Sequence, residues 1–294
     1  MFERRNKESL PVIAICYDFD KTLSPEDMQA QGFIQSVGYD VEAFWQSTDQ
    51  LAYTHQMDGN LAYMLQMRLK SEGLFPLTRQ SLLEYGRHIR LFEGVTTWFQ
   101  RMKAYGLQNG VLVEHYVISS GLKEMIEGTS IAGEFEKIYA SSFCYNEEGV
   151  AIWPAQVVNF TNKTQFLFRI TKGLLDIHDP AVNDSFEEDA FRVPFKNIVY
   201  IGDSDTDIPC MKLVNDHDGH SICVYNPFMG DKTKVYRMMR DFRARYFAPA
   251  DYREGAELDV LLKAIIQKTA QSAILDQKHH RDLREALAED ATVT

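Results

Sequence analysis

Two aspartates two residues apart, Asp18 and Asp20, stand where a short apolar run, Val12-Ile13-Ala14-Ile15-Cys16-Tyr17, gives out. Such a run predicts a buried strand. A buried strand has no structural use for two acids at its tip, and open α/β sheets place their ligand sites outside the carboxyl ends of the strands. One carboxylate of such a pair can serve as a nucleophile, the other as a proton shuttle, and both can face a metal ion. The pattern Asp-x-Asp-x-Thr, completed here by Thr22, also occurs in solvated turns and helix caps. Its chemistry therefore rests on what the rest of the chain supplies.

Three later segments supply it. Residues 111–121, Val-Leu-Val-Glu-His-Tyr-Val-Ile-Ser-Ser-Gly, are a second apolar run that ends in two hydroxyls and a glycine. Residues 159–169, Asn-Phe-Thr-Asn-Lys-Thr-Gln-Phe-Leu-Phe-Arg, put Lys163 near the start of a predicted helix. Residues 198–207, Ile-Val-Tyr-Ile-Gly-Asp-Ser-Asp-Thr-Asp, run a third strand into a cluster of acids. Acid pair, hydroxyl, lysine and acid cluster follow in that order. Taken together they resemble the four short motifs of the haloacid dehalogenase-like (HAD) hydrolase superfamily, and in particular its phosphoserine-phosphatase-like members.

The resemblance implies a fold and a chemistry. The fold is α/β: a Rossmann-like parallel sheet flanked by helices, with a small all-helical cap inserted after the first strand. The chemistry is hydrolysis of a small-molecule phosphate monoester with Mg²⁺ as cofactor. Asp18 is the implied nucleophile, forming an aspartyl-phosphate, and Asp20 the implied acid and then base. Ser119, Ser120 and Lys163 are implied to hold the phosphoryl oxygens. Asp18, Asp203 and the backbone carbonyl of Asp20 are implied to hold the metal. Asp207, Thr22 and Gly202 are implied to support them from behind: Asp207 by ordering the lysine or a metal-bound water, Gly202 by allowing close backbone approach. Lys172 competes with Lys163 for the lysine role, but Lys163 follows an extended run at a helix start. Ser204 and Thr206 stand where phosphoserine-phosphatase-like members often carry glycine and asparagine. Asp20 speaks against a dehalogenase, which needs no proton donated to an alcohol. Two other readings stay open: transfer of the phosphoryl group to an acceptor other than water, and a non-catalytic phosphate sensor or scaffold on the same fold.

The bulk properties fit these expectations. The 294 residues carry 45% hydrophobic and 25% charged side chains, ordinary for a globular protein. A net charge of −11 argues against a nucleic-acid surface. The apolar run before Asp18 is too short for a signal peptide or a membrane span. Cysteines at 16, 144, 210 and 223 form no CxxC pair, and the expectation is reduced thiols and a cytoplasmic location. A small phosphorylated metabolite is the expected partner, with oligomeric state open.

The elements that must position the site can be read from periodicity. Residues 1–24 and 91–276 are expected to form the catalytic core, 25–90 the helical cap and 277–294 a polar tail. In the cap, Phe33, Val37 and Phe44, then Leu61, Met64, Leu65 and Leu69, recur at helical spacing. Ser24-Pro25-Glu26 predicts a helix start, and Gly59, Gly73 and Gly86 predict breaks. Residues 138–158 predict two strands around a turn at 146–149, and 176–196 a surface connection. The stretch Asn215-Asp216-His217-Asp218-Gly219-His220 is read as a polar turn rather than a metal site, and His115 as a core residue. The cap cations Arg68, Lys70, Arg79, Arg87, His88 and Arg90 are read mainly as solvated charges.

Overall fold

The computed structural model describes residues 2–187 and 190–292. At its centre β1 (Val12–Tyr17) is buried along its whole length. Side chains alternate across a strand, so Ile13, Ile15 and Tyr17 enter one core and Val12, Ala14 and Cys16 another. A strand buried on both faces needs helices on both sides, and the chain supplies them. On the first face lie α5 (Val95–Gln108), α6 (Lys123–Gly128) and the start of α10 (Glu257–Thr292). On the second lie α7 (Thr164–Lys172), α8 (Ile208–Asp216) and α9 (Thr233–Arg240).

The sheet has seven strands in the order β4-β3-β2-β1-β5-β6-β7. They are β2 (Leu112–Leu122), β3 (Lys137–Tyr145), β4 (Ala151–Gln156), β5 (Ile198–Gly202), β6 (His220–Tyr225) and β7 (Tyr246–Pro249) around β1. Every pair is parallel except the β3–β4 hairpin. β1 therefore lies between β2 and β5, and the carboxyl ends of all three open on the same edge. This is the doubly wound, mostly parallel architecture expected from the sequence.

Between β1 and β2 the chain is helical: α1 (Phe33–Ser36), α2 (Val41–His55), α3 (Gly59–Ser71) and α4 (Arg79–Arg87). Asp40, Asp58 and Thr78 cap the last three through their side chains. One expectation fails here. Ser24-Pro25-Glu26 starts no helix; the amides of Thr22, Leu23 and Ser24 all turn back to the Phe19 carbonyl, and the first helical turn is a short 3-10 segment at Met28–Ala30. Gly86 stands in the last turn of α4, which ends at Arg87, and a Cβ there would come within 2.1 Å of the Met125 carbonyl and 2.9 Å of Gly128 on α6.

One further difference lies toward the C-terminus: β7 is not expected from the sequence, since four residues ending in proline carry little periodicity. The polar tail from 277 is helical, continuing α10 to Thr292, and its last two positions, 293 and 294, lie outside the described residues. The connection 176–196, apart from positions 188 and 189 outside the description, is anchored by buried Arg192, which donates to both Glu114 oxygens at 2.6 and 2.7 Å. No helix among the described residues is long and apolar enough to cross a membrane.

Candidate active site

The carboxyl end of β1 carries the acid pair. Asp18 is the first residue past the strand, and its amide still donates to Ile201 of β5 at 2.9 Å. One Asp18 carboxylate oxygen accepts the Phe19 N–H at 2.8 Å; the other faces the Lys163 ammonium at 3.2 Å. The turn that follows passes through Lys21 at φ 58°, a left-handed conformation costly for a residue with a Cβ. It delivers Asp20 beside Asp18. Asp20 Oδ1 accepts the Met28 N–H at 2.8 Å, which leaves Oδ2 free of that bond.

Ser119, Ser120 and Gly121 form the end of β2. The β2–β3 register passes from Ser119–Ala140 directly to Leu122–Ser141, a bulge that holds Ser120 and Gly121 off the ladder. Bulges of this kind re-aim side chains near active sites. Gly121 is favoured by contact rather than by dihedral. A Cβ there would lie 2.2 Å from Met28 Cε and 3.0 Å from Asp20 Oδ2.

Lys163 stands at the N-cap position of α7, fully buried, with its ammonium 2.7 Å from Asp207 and 3.2 Å from Asp18. Lys172 is no rival: its ammonium binds the carbonyls of Val182 and Asp184, on the other side of α7's C-terminal end. Asp207 is saturated. Its Oδ1 accepts from Lys163 and from Tyr200 Oη at 2.8 Å, and its Oδ2 from the Ser204 amide at 3.2 Å and hydroxyl at 3.1 Å. Gly202 makes room for it, since a Cβ at 202 would meet Asp207 Oδ2 at 2.5 Å. Thr22 is buried beneath the turn, its carbonyl accepting from Tyr252 Oη at 2.8 Å, while its own hydroxyl is unpartnered among the described residues.

Burial shapes the acids. Desolvation, opposed by Lys163 and reinforced by Asp207, raises Asp18 above the usual carboxylate range. Desolvation, then Asp27 and Asp18, raises Asp20 well above it. Asp203 is pushed up to about 8 by burial and by Asp207 and Asp18, with Lys234 at 3.8 Å as a partial counter-charge.

Carboxylate oxygens of Asp18, Asp203 and Asp207 lie within 4.8 Å of one another. Because each oxygen of Asp207 already accepts two hydrogen bonds, Asp18 and Asp203 are the carboxylates better placed to hold an ion. Hard oxygen donors in small number suit Mg²⁺, which keeps several of its waters, and the raised proton affinity of Asp203 marks negative charge that a cation would neutralise. The residues present therefore fit a divalent ion. The Asp20 side chain is not among the carboxylates that converge within 4.8 Å, and its Oδ1 accepts the Met28 N–H, so a ligand from Asp20 would be its backbone carbonyl.

These groups open into one cavity of about 320 Å³, whose wall includes Asp18, Asp20, Ser119, Ser120 and Asp203. The structure thus gathers the sequence-derived residues around one space, with Lys163, Asp207, Thr22 and Gly202 behind it. The wall also includes Asp27, Asp58, Asn159, Phe160 and Lys234, which sequence reasoning did not single out. Asn159 and Phe160 lie within the quoted lysine motif; no sequence signal pointed to Lys234 on α9. The cap cations do not reach the cavity. Arg68, Arg79, Arg87 and Arg90 pair with Glu72, Glu127, Glu84 and Glu26, and Lys70 stacks over Tyr39.

No family model matches the chain. An uncharacterized protein of Borreliella burgdorferi is 28% identical over 286 residues, covering 88% of this chain and 96% of the relative. Among solved structures, a HAD family hydrolase from Salmonella enterica serovar Typhi superposes with a TM-score of 0.57 at 17% identity, over 88% of this chain and 73% of that one. A probable phosphoserine phosphatase from Vibrio cholerae gives a TM-score of 0.55 at 14% identity, over 91% of this chain and 68% of that one. The fold of this chain is the HAD-like fold.

Proposed function

We propose that the protein, built on the HAD-like fold, is a Mg²⁺-dependent phosphatase that hydrolyses a small phosphate monoester through a phosphorylated Asp18. The observation that carries this reading is the convergence of the Asp18 carboxylate, Ser119 and Asp203 on a single cavity, with the buried Lys163 ammonium 3.2 Å from Asp18 behind its wall. A binding module has no need of a carboxylate held beside a buried cation in this way. The cavity volume suits a small phosphorylated metabolite.

A divalent ion held by Asp18, Asp203 and the Asp20 carbonyl would offset the repulsion between a carboxylate and a phosphoryl group. The chain's own residues do the rest. Lys163 and the Ser119 hydroxyl bind phosphoryl oxygens and hold the phosphorus in line with Asp18. Asp207 and Tyr200 fix the lysine. Asp18 attacks phosphorus as the bond to the leaving oxygen breaks, and Asp20 gives that oxygen its proton from Oδ2. Burial, with Asp27 and Asp18 nearby, raises the proton affinity of Asp20, the direction that the acid role needs. Asp20, now a carboxylate, takes a proton from the water that attacks the aspartyl-phosphate, which restores Asp18 and the protonated acid.

The test is release of inorganic phosphate from p-nitrophenyl phosphate and a panel of metabolite phosphates, with Mg²⁺ and with chelator. Activity is expected to need the metal, and Asp18→Asn to lose about 10³-fold or more of it. An Asp18→Asn protein with undiminished turnover would refute the mechanism.

A further inference from the structure

Tyr63 reaches from α3 to the phosphate-binding loop without joining the cavity wall. The residue is 4% exposed, and its hydroxyl donates to the Ser120 carbonyl at 2.8 Å. The same peptide unit continues into the Gly121 N–H, which donates to Ser119 Oγ at 3.1 Å. A trans peptide is rigid, with its carbonyl and N–H on opposite sides, so a partner that fixes one end aims the other. With its oxygen already accepting from Gly121, Ser119 has its single proton left to donate. An anion in the cavity is the natural recipient.

The bulge makes this arrangement depend on Tyr63. Ser120 and Gly121 have no register partners on β3, so the strand ladder does not fix the orientation of their shared peptide. A phenol from the helical segment supplies what the ladder omits. The Ser141 hydroxyl is a second hydrogen-bond neighbour of the phenol, and Trp45 meets its ring edge-to-face with centroids 6.2 Å apart, a packing contact that does not depend on the hydroxyl.

We infer that Tyr63 is a positioning residue for phosphoryl binding, acting through the Ser120–Gly121 peptide to aim the Ser119 hydroxyl. This rests on the phosphatase reading above. It also ties the helical segment to the reaction by a route other than contact with substrate.

The experiment is a double-mutant cycle of Tyr63→Phe and Ser119→Ala. It is read in kcat/KM for p-nitrophenyl phosphate, and in orthovanadate affinity by calorimetry in excess MgCl₂. Tyr63→Phe is expected to lower both by about 5- to 10-fold in the Ser119 protein, the scale of one lost hydrogen bond, and by less than about 2-fold in the Ser119→Ala protein. Any loss of thermal stability should be the same in both backgrounds. Equal losses of activity and affinity in the two backgrounds, or no loss in the first, would overturn the inference while leaving the phosphatase reading intact. A wild-type protein that neither hydrolyses p-nitrophenyl phosphate nor binds orthovanadate would overturn both.

Discussion

His115 should make the protein sensitive to acid in a way that one substitution can isolate. It lies in β2, fully buried, between Tyr17 Oη at 3.0 Å from Nδ1 and the Phe99 carbonyl at 3.3 Å from Nε2. A carbonyl can only accept, so Nε2 carries the proton and Nδ1 accepts from Tyr17, whose oxygen in turn accepts from Trp98 Nε1 at 2.8 Å. This chain of donors satisfies the neutral ring. Burial, with Lys103 adding repulsion and the Phe99 carbonyl opposing, lowers the folded-state pKa from 6.5 to about 3. Below pH 6.5 the unfolded chain binds a proton that the folded protein refuses, so the contribution is absent above that pH and stability falls as pH drops toward 3. The slope approaches about 1.4 kcal/mol per pH unit, and the loss between pH 7 and pH 5 is about 2 kcal/mol. Raised acids such as Asp203 and Glu124 act in the opposite sense, because the folded state keeps their protons. The measurement must therefore be a difference. Urea unfolding of wild type and His115→Gln, whose amide can replace both hydrogen bonds, would be compared from pH 7 to pH 4.5. The wild-type curve should fall relative to the variant by about 2 kcal/mol between pH 7 and pH 5. Parallel curves would show that the ring protonates in place, and the argument from burial would fail.

Three other outcomes follow from contacts at and beneath the site. Gly202→Ala should cost at least about 10-fold in kcat while the protein remains folded by circular dichroism, because the new Cβ would press on Asp207 Oδ2 at 2.5 Å and displace the partner of Lys163; unchanged kcat would mean Asp207 does not need that position. Asp20→Asn should slow alkyl phosphates far more than p-nitrophenyl phosphate, whose leaving group needs little protonation, and equal losses would remove Asp20 from the role of acid. Arg192→Ala should destabilise by about 3–5 kcal/mol in denaturant titrations, because it strands the buried Glu114 carboxylate that Arg192 grips with two bonds. The specific activity of its folded fraction should not change, and a stability loss below about 1 kcal/mol would show that Arg5, 3.3 Å from Glu114, suffices alone.

The acids of the candidate site were legible in the sequence because their types are costly where they stand. Asp18 and Asp203 follow apolar runs, and a charge at such a place needs a reason that local pattern can flag, while Lys163 was marked by its place at a helix start after an extended run. The strands were legible for the same reason in reverse: β1 is apolar at every position because both of its faces are covered. What periodicity could not supply is whatever depends on two distant segments meeting. Ser24-Pro25-Glu26 has the letters of a helix start, yet the Phe19 carbonyl gathers three amides into the turn that carries Asp20. Gly86 has the letter of a helix break and stands one residue from the end of α4, but its close fit to Met125 and Gly128 across the α4–α6 contact is not in its letter. Tyr63 reads as one more aromatic at helical spacing, and only the β2 bulge gives its hydroxyl a task. Lys234 reads as one more surface lysine until β6 and α9 bring it to 3.8 Å from Asp203. In each case the chemistry-bearing residue is announced by its own neighbourhood, while the residue that aims it is announced only by tertiary contact. Specificity is expected to follow the second kind: beyond the residues the sequence singled out, the cavity wall includes Asp27, Asp58, Asn159, Phe160 and Lys234, drawn from four separate stretches of chain.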